Sequence, residues 1–464
     1  MEVLQRTANR GSISTGYDID NSLKFEEDNT EMMEQNPSAG GNRRTFTVSL
    51  WMKRSEISTT GNSQWIIGAI GASETAALSI DPSDVIFLDV GLGSTRNRMG
   101  TTQVFRDTSA WYHLVWRVDT TQGTAADRNR LYVNGVLAPL TAVDGYPTQN
   151  FECEYNNDKL INIGHYQAVN NNGLCGYLAE IHSCDGVSNA PTEFGEFDAD
   201  SGIWKPKAYA GSYGAQGFYL PLDNSSDLGA NSKGNSVDFT LQNITSADQA
   251  TDTPTNNFCT WNPLWVYATQ PTISDGATKT FNSSSDWTGA KSTFGLTKGK
   301  WYWEYKALNF NALLGIQTDG ESNISASGSA QSKLSTLALF LQGEVEIVDS
   351  GGSRDDTNVT FTFDAAHTFG IALDMDSSTQ IISFYQNGSL ITNGGNINID
   401  GLADKTVFPF VATLNNTVTI NFGGYTSNSI SSAASDANGY GTFEFAPPTG
   451  YYALCTQNLA LYGG

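Results

Sequence analysis

Apolar and polar residues alternate along many short runs of this chain, and a period of two is the pattern of a β-strand with one buried face. One run places its apolar side chains on one face, at Phe46, Val48, Leu50 and Met52. Another does so at Tyr112, Leu114, Trp116 and Val118. Similar runs occupy 65–70, 85–90, 161–164, 177–184, 217–222, 300–305, 312–316, 337–341, 369–374, 381–386, 408–413 and 418–423. We expect long antiparallel strands that pack against a core.

Two Asn-Gly pairs predict tight hairpins between such runs. Asn134-Gly135 separates RLYV from VL, and Asn387-Gly388 follows IISFYQ. Asn-Gly is a strong hairpin signal because both residues tolerate positive φ. The chain also contains 46 glycines, and only 16% of its residues are charged, against a usual ~25%. These features predict an all-β protein with two β-sandwich (jelly-roll-like) domains in tandem.

The domain boundaries follow from where the periodicity stops. Residues 1–21 are polar and aperiodic, so we predict an N-terminal arm that does not fold alone. The sequence between Asn243 and Asn262 is also polar and rich in turn residues. We therefore predict one sandwich at 22–245, a linker at 246–262 and a second sandwich at 263–464.

The charge balance excludes two classes of partner. The chain has 25 Lys and Arg against 48 Asp and Glu, which is a formal net charge of −23 at pH 7. Such a surface repels phosphate backbones and anionic lipids, so we expect no nucleic-acid binding. Apolar runs long enough for a bilayer span are missing from the sequence, and its N-terminus lacks the apolar stretch of a secretory signal. We expect that the protein does not insert into a membrane. We also expect that it is synthesised in the host cytoplasm.

Five cysteines, an odd number, favour free thiols in a reducing compartment. Cys175 and Cys184 lie in one strand-like run, where extended chain holds them ~30 Å apart, too far for a disulfide. The sequence leaves open the alternative that one disulfide forms between two of the residues Cys153, Cys259 and Cys455. With four histidines, the sequence predicts no metal-ligand set of its own.

The first half resembles a known family in four segments that occur in order: TFTVSLWMKR, WYHLVWRVD, NRLYVNGV and GYLAEIHSCDGV. Together they resemble the laminin-G-like members of the concanavalin A-like lectin/glucanase superfamily, over roughly residues 22–245. The resemblance implies a two-sheet sandwich. It also implies that calcium could be held at a loop rim by Asp and backbone oxygens, and Asp119 and Asp127 flank such a loop. Two turn aspartates in an acidic protein are the competing interpretation, which we favour.

The second half, about 265–458, contains GKWYWEYKAL, FGIALDMDSSTQIISFYQNGSLI, FPFVATLNNTVTINFGG and GYYALC. It is similar to SPRY (B30.2-like) domains, which implies a bent sandwich whose end loops form a binding surface. The stretches that join the halves look like those of structural proteins of marine bacteriophages.

The same superfamily includes glycoside hydrolases, which use a pair of carboxyl groups for catalysis. We therefore looked for paired carboxylates in the sequence. Retaining hydrolysis needs two carboxyl groups ~5.5 Å apart, a spacing that alternate strand positions provide. Glu196, Asp198 and Asp200 have this spacing, but we predict a solvated acidic loop because glycines bound the segment. Glu152 and Glu154 also alternate, and we predict an exposed strand face without an aromatic platform for a sugar.

Other catalytic constellations are missing from the sequence. A triad needs a histidine beside Ser or Cys, whereas all four histidines lie in or beside strand patterns, at His113, His165, His182 and His367. Gly295 to Trp301 lacks the spacing of a phosphate loop. Asp374 to Ser378 lacks the Gly and terminal Glu of a calcium loop. We predict no catalytic, cofactor-binding or metal-binding residues.

Two sandwiches, an arm and no catalytic set predict recognition or assembly. We expect a non-enzymatic bacteriophage virion protein, either a tail fibre that binds a host receptor or a capsid decoration subunit. Its partners would be other virion proteins, bound through residues 1–21, and a host-surface glycan or protein, and we expect a homo-oligomer. A phage polysaccharide depolymerase is the alternative, and a secreted bacterial adhesin is a third, weakened by the missing signal.

Overall fold

The computed structural model describes residues 16–463 except 38, 58–60, 72, 168–171, 236, 266–269, 320–335, 349–353 and 401–404. The chain divides into two compact units between Thr255 and Asn256. Strands dominate both units, which confirms the all-β class. In the described part of the chain, no helix is long and apolar enough to cross a bilayer.

Within its described residues, the first unit is built from short strands and four 3-10 helical turns. In chain order its strands are β1 (Ser22–Phe25), β2 (Met32–Gln35), β3 (Thr45–Arg54), β4 (Gln64–Ile70), β5 (Thr75–Ile80), β6 (Val85–Val90), β7 (Arg98–Val104), β8 (Trp111–Asp119), β9 (Asn129–Val133), β10 (Val136–Leu137), β11 (Leu140–Ala142), β12 (Ile161–Ile163), β13 (Gly176–Asp185), β14 (Gly195–Phe197), β15 (Trp204–Pro206), β16 (Phe218–Leu220), β17 (Thr240–Gln242) and β18 (Gln249–Ala250). The 3-10 turns are Glu27–Asn29, Ala125–Asp127, Pro191–Glu193 and Ser246–Asp248.

Sixteen of these strands form two antiparallel sheets around one core, and β14 and β15 form a separate two-stranded hairpin. Sheet A has the order β10-β9-β8-β3-β13-β1-β18, with β16 also paired to β13. Sheet B has the order β11-β7-β6-β5-β4-β12-β2-β17. The alternating residues predicted for the core are confirmed, since Phe46, Leu50 and Trp116 are 0% exposed and pack with Leu78 and Leu88 of sheet B. The other face of each sheet carries the polar half of the alternation.

Both predicted Asn-Gly hairpins are present. Asn134 and Gly135 have φ values of 48° and 78° and join β9 to β10. Asn387 and Gly388 have φ values of 48° and 75° in the second unit. Positive φ at two successive residues matches the right-handed twist of the strands, which is why this dipeptide is selected.

The second unit has a similar two-sheet construction. Its strands are β19 (Thr272–Ser274), β20 (Lys279–Asn282), β21 (Thr288–Lys291), β22 (Lys300–Ala307), β23 (Ala312–Thr318), β24 (Thr336–Phe340), β25 (Glu344–Val348), β26 (Arg354–Asn358), β27 (Phe369–Asp374), β28 (Ile381–Gln386), β29 (Ser389–Leu390), β30 (Ile397–Asn398), β31 (Val407–Thr413), β32 (Asn416–Asn421) and β33 (Tyr452–Ala453), followed by helix α1 (Thr456–Tyr462).

Sheet C of this unit has the order β19-β20-β32-β22-β27-β28-β29, with β30 paired to β28 and β33 to β22. Sheet D has the order β21-β31-β23-β24-β25-β26. Trp301, Trp303 and Tyr305 of β22 are 0% exposed in the core between the sheets. The aromatic strand found in the sequence is therefore the centre of the second sandwich.

The segment predicted as a linker, 246–262, is instead part of the two units. Residues 246–248 form a 3-10 turn with a capping box, and β18 pairs with β1. Lys53 Nζ forms an ion pair with Asp252 Oδ2 over 2.6 Å, and both side chains are 1% exposed. Further on, Cys259 and Trp261 belong to the core of the second unit. The polar sequence of this segment does not reveal these contacts, because its partners lie up to 236 residues away.

The predicted arm also ends earlier than residue 21. Tyr17 Oη donates to Glu180 Oε2 over 3.0 Å. Ile19 is 4% exposed, and its N–H donates to Thr255 Oγ1 over 3.1 Å. These two residues are part of the first unit, whereas residues 1–15 of the predicted arm lie outside the described residues.

All five cysteines are free and buried. Cys184 lies in β13 and Cys175 immediately precedes it, as their sequence separation predicted. The bridge left open among Cys153, Cys259 and Cys455 does not form: the first belongs to one unit and the other two to the second.

Candidate functional site

A polar depression of about 270 Å³ lies on the outer face of sheet B, opposite the core. We call it the sheet B pocket, and it is lined by Ser63, Trp65, Ser73, Glu74, Thr75, Ser79, Asp89, Arg96, Arg98, Tyr166 and Asn172. Its position follows from the alternation. Leu78 and Leu88 point to the core, so Ser79 and Asp89 point outward. Its volume is close to the lower end of the ~300–1,000 Å³ range of ligand pockets.

Asp89 and Arg98 form a two-point ion pair in this pocket. They lie directly opposite each other on β6 and β7. Arg98 Nε donates to Asp89 Oδ1 and Nη2 to Oδ2, each over 2.7 Å. Asp89 is 3% exposed, and burial raises its pKa while Arg98 opposes that rise. The guanidinium also lies 4.5 Å from the centre of the Phe87 ring, so it is fixed on three sides.

Arg96 is the more accessible cation of the pocket. Its side chain is 38% exposed, and its Nε lies 3.3 Å from Asp89 Oδ1 and 3.4 Å from Asp144 Oδ2. Those two long contacts involve Nε, and its terminal nitrogens make no hydrogen bond to the described residues. A guanidinium held in this way can donate to hydroxyl or carboxylate oxygens of a ligand.

Two aromatic rings form the other wall of the pocket. The ring centres of Trp65 and Tyr166 are 4.9 Å apart, with planes tilted by 45°. The Asn172 carbonyl accepts from the backbone N–H groups of both residues over 3.3 Å, and Trp65 Nε1 donates to the Asn162 carbonyl over 3.0 Å. The rings are thus held before any ligand arrives. Aromatic faces beside fixed polar groups suit a ligand with both C–H surface and hydroxyls.

The sequence did not reveal this site. The alternation predicts its strand at Trp65, but the pocket combines residues from β4, β5, β6, β7 and the chain after β12, up to 109 positions apart. Only the strand pairing brings them together. The available signal was the polar half of the alternation, which places Ser79 and Asp89 on one face.

The predicted carboxylate candidates lie elsewhere. Glu196 is on β14, which pairs with β15, so the segment is a small hairpin rather than a loop. Glu196 and Asp198 both pair with Lys205, at 3.6 and 3.2 Å. Backbone and side-chain hydrogen bonds from Ser201 lower the pKa of Asp198 to about 2. Asp200 is exposed in the turn after β14. A carboxylate so stabilised in its charged form is a poor proton donor.

Glu152 and Glu154 differ from the exposed strand face predicted for them. Their segment is not a strand. Glu152 pairs with Arg43 and Arg44, at 3.1 and 2.9 Å. Glu154 is buried, and Asn157 Nδ2 donates to it over 2.6 Å. Both act in the packing of their loop.

His113 illustrates why the histidines do not form a triad. Its Nε2 is 2.9 Å from Ser49 Oγ, and its Nδ1 accepts from Trp204 Nε1 over 3.0 Å. Because Nδ1 is an acceptor, Nε2 carries the hydrogen and donates to Ser49. Burial lowers the pKa of His113 to about 3, so the ring stays neutral. It cannot take a proton from Ser49 in this arrangement.

The remaining histidines also pack against strands or loops. His182 lies on β13, where Nδ1 is 2.9 Å from Tyr213 Oη and Nε2 is 3.2 Å from Glu180 Oε2. His165 is buried beside β12, and burial lowers its pKa. His367 lies in the loop before β27, 2.8 Å from Gln386 Nε2.

The calcium candidates each have their own partners. Asp119 accepts hydrogen bonds from Thr121 and Gln122. Burial acts to raise the pKa of Asp119, but these hydrogen bonds outweigh it and the pKa is lowered. Asp127 pairs with Arg130. Asp374, in the second unit, caps the turn after β27 and pairs with Lys300 over 2.7 Å. These carboxylates stabilise turns.

Residues 28–190 match a laminin-G-type model of the concanavalin A-like lectin/glucanases superfamily. The match contains all the residues that line the sheet B pocket. No curated protein matches the chain. The laminin-G part of the predicted resemblance is thus supported by a family model, and a binding role is consistent with this fold.

Several solved structures match the chain at low identity and with low TM-scores. A candidate carbohydrate binding protein from Bacteroides ovatus is 15% identical, over 49% of this chain and 59% of that one, with a TM-score of 0.32. Domains LG4-5 of the mouse laminin α1 chain are 11% identical, over 94% and 96%, with a TM-score of 0.31. The SPRY domain of human HERC1 is 15% identical, over 32% and 89%, with a TM-score of 0.25. This chain therefore spans little more than half of the Bacteroides protein.

Proposed function

We propose that this protein binds a host-surface glycan without cleaving it, and that the sheet B pocket holds the sugar. The observation that carries the proposal is the pocket itself. Trp65 and Tyr166 offer aromatic faces, and Arg96 offers hydrogen-bond donors, in a unit that matches a lectin and glucanase superfamily. Stacking on ring faces and charged hydrogen bonds to hydroxyls would act together on one ligand.

A glycan array with the full chain tests this proposal. Arg96→Ala and Tyr166→Ala should each weaken binding of the best glycan at least ~10-fold, which corresponds to about 1.4 kcal/mol. Arg44→Ala is the matched control, since Arg44 is similarly exposed and pairs with Glu152 away from the pocket. Equal affinity of Arg96→Ala, Tyr166→Ala and Arg44→Ala would contradict the assignment of the site.

A polysaccharide depolymerase is the second candidate, because Glu74 and Asp89 share a pocket with two aromatic rings. The two-point contact with Arg98 argues against Asp89 as a nucleophile, since both of its oxygens are engaged. We expect no release of reducing ends from any polysaccharide that binds. Release that disappears in Glu74→Gln but persists in Glu196→Gln would make the protein an enzyme.

We further propose that the protein is displayed on a bacteriophage particle, as a tail fibre or a capsid decoration subunit. The resemblance of the chain to marine phage structural proteins supports this location, and residues 1–15 would be the anchor. Immunogold electron microscopy of the source particle is the direct test. Particles assembled with a chain that lacks residues 1–15 should carry no label, and normal labelling would move the anchor to another part of the chain.

A further inference from the structure

A second cluster of functional side chains lies at one end of sheet A, within the first unit. Glu26 follows β1, Glu56 follows β3 by two residues, and Cys175 precedes β13. One ligand atom from each lies within 4.8 Å of the others. Cys175 Sγ donates to Glu26 Oε1 over 3.3 Å. Three segments that are distant in sequence thus converge on one point.

The strand register explains this convergence. Phe25 pairs with Gly176, and Gly176 pairs with Arg54. One step further along the same strands, Glu26 lies beside Cys175, whose carbonyl accepts from the Ser55 N–H over 3.1 Å. Side chains of neighbouring strands at the same level share a face of the sheet. By this register, Ser55 lies on the same face of the sheet as Cys175 and Glu26.

The hydroxyl of Ser55 is an independent sign that the cluster lacks a component. Ser55 is 1% exposed, and its Oγ has no hydrogen-bond partner among the residues that the structure describes. A buried hydroxyl without a partner costs roughly 1–3 kcal/mol, so such groups are rare in folded proteins. A bound cation with its remaining water would supply a partner at this position.

The burial of the cluster favours a cation as well. Glu26 and Cys175 are 4% and 2% exposed. Carboxylate and thiolate groups that converge away from water are stabilised when they are paired with a cation or coordinate a metal.

We infer that Glu26, Glu56 and Cys175 bind a thiophilic divalent cation, with Zn²⁺ as the expected ion. Thiolate and carboxylate are both zinc ligands, and a thiolate disfavours Ca²⁺ and Mg²⁺. On binding, the Cys175 S–H bond and any carboxyl O–H bond are replaced by metal–sulfur and metal–oxygen bonds. The protons pass to solvent, so affinity should rise with pH.

Metal titration of the reduced, metal-free full chain tests the inference. Co²⁺ should bind once per chain and give the near-ultraviolet charge-transfer absorption of a cobalt–thiolate bond. Cys175→Ser should lose this absorption, and Zn²⁺ should no longer raise its melting temperature. Cys184→Ser is the matched control, because Cys184 is also a buried free thiol at β13, outside the cluster.

Glu56→Gln provides a second test if Cys175→Ser does not fold. Glu56 is only half-buried, and its amide should weaken Zn²⁺ binding at least ~10-fold while circular dichroism stays unchanged. Cobalt–thiolate absorption that persists at full strength in Cys175→Ser would overturn the inference. So would equal zinc affinity of the wild-type chain and Glu56→Gln. None of these readouts depends on the proposed glycan.

Discussion

The outer faces of sheet B and sheet C show how two similar sandwiches differ. On sheet C, Tyr302 and Ala372 lie against Phe443 and Cys455 from the C-terminal part of the chain, so this face is covered and apolar. On sheet B, the corresponding face carries the polar pocket around Asp89. The cores of the two units follow the same rule of alternation. The two units differ on the outer faces of their sheets, which are polar on sheet B and apolar on sheet C.

The two units also bury their charges differently. The first unit uses buried ion pairs between distant segments, such as Lys53 of β3 with Asp252 after β18. In the second unit, the carboxylate of Glu304 accepts from the backbone N–H groups of Glu444 and Phe445, each over 2.8 Å. One carboxylate thereby holds the covering segment on sheet C. Removing charges should therefore damage the two units in different ways.

The largest expected effect comes from where the first unit is cut. A fragment of residues 1–255 should fold alone, because it keeps Asp248 and Asp252 as partners of Lys24 and Lys53. A fragment of residues 1–245 should be insoluble, since a buried charge without its partner costs about 3–5 kcal/mol. Soluble expression and circular dichroism of both fragments check this. If both fragments fold equally well, residues 246–255 are a linker and not a part of the first unit.

A smaller effect is expected from Glu304→Ala in the second unit. Loss of the acceptor leaves two backbone N–H groups near the sheet without partners and should cost about 3 kcal/mol or more. Asp364→Ala is the control, because Asp364 is exposed in a loop of the same unit. Hydrogen exchange followed by mass spectrometry should show faster exchange in 434–455 for Glu304→Ala. Unchanged exchange there would mean that apolar contacts alone hold the covering segment.

The third effect depends on pH and belongs to the first unit. His113 has a pKa of about 3 when folded, whereas an unfolded histidine titrates near ~6.5. Between these values the unfolded state binds more protons, so the stability present above pH ~6.5 is lost as the pH falls. In His113→Gln, denaturant midpoints of the first unit should fall less between pH 7 and pH 4 than in the wild type. Parallel pH profiles would show that His113 is not responsible.

The smallest effect is expected from Glu196→Ala combined with Asp198→Ala. Both side chains lie on the surface hairpin and contact only Lys205 as a cation among the described residues. Their exposure predicts an unchanged melting temperature and unchanged glycan binding. Differential scanning calorimetry and the array measure both. A loss of binding in the double variant would move the ligand from sheet B to this hairpin.

Local signals made much of the fold predictable. The Asn-Gly hairpins and the alternating runs at β3, β8 and β22 need no information from distant residues. β5, with the sequence TAALSI, was missed because alanine has little strand preference. Asp252 was placed in a linker, since its partner Lys53 is 199 residues away.

The pocket and the cation cluster were missed for the same reason. Asp89 and Arg98 are ordinary charged residues in the sequence, and only the pairing of β6 with β7 makes them a two-point contact. Glu26 and Cys175 are 149 residues apart. Sequence patterns report which face a side chain occupies, but not which strand lies next to it.

The rate at which the buried cysteines are alkylated measures how fast each unit opens. Cys153 of the first unit and Cys455 of the second are both 0% exposed, and burial raises the pKa of each thiol to about 12. An alkylating reagent reacts with the thiolate, so neither residue reacts until its surroundings open. The mass of each labelled peptide, followed over time, therefore measures the opening rate of one sandwich in the presence of the other. Each sandwich therefore contains a buried thiol whose rate of alkylation reports the opening of that sandwich.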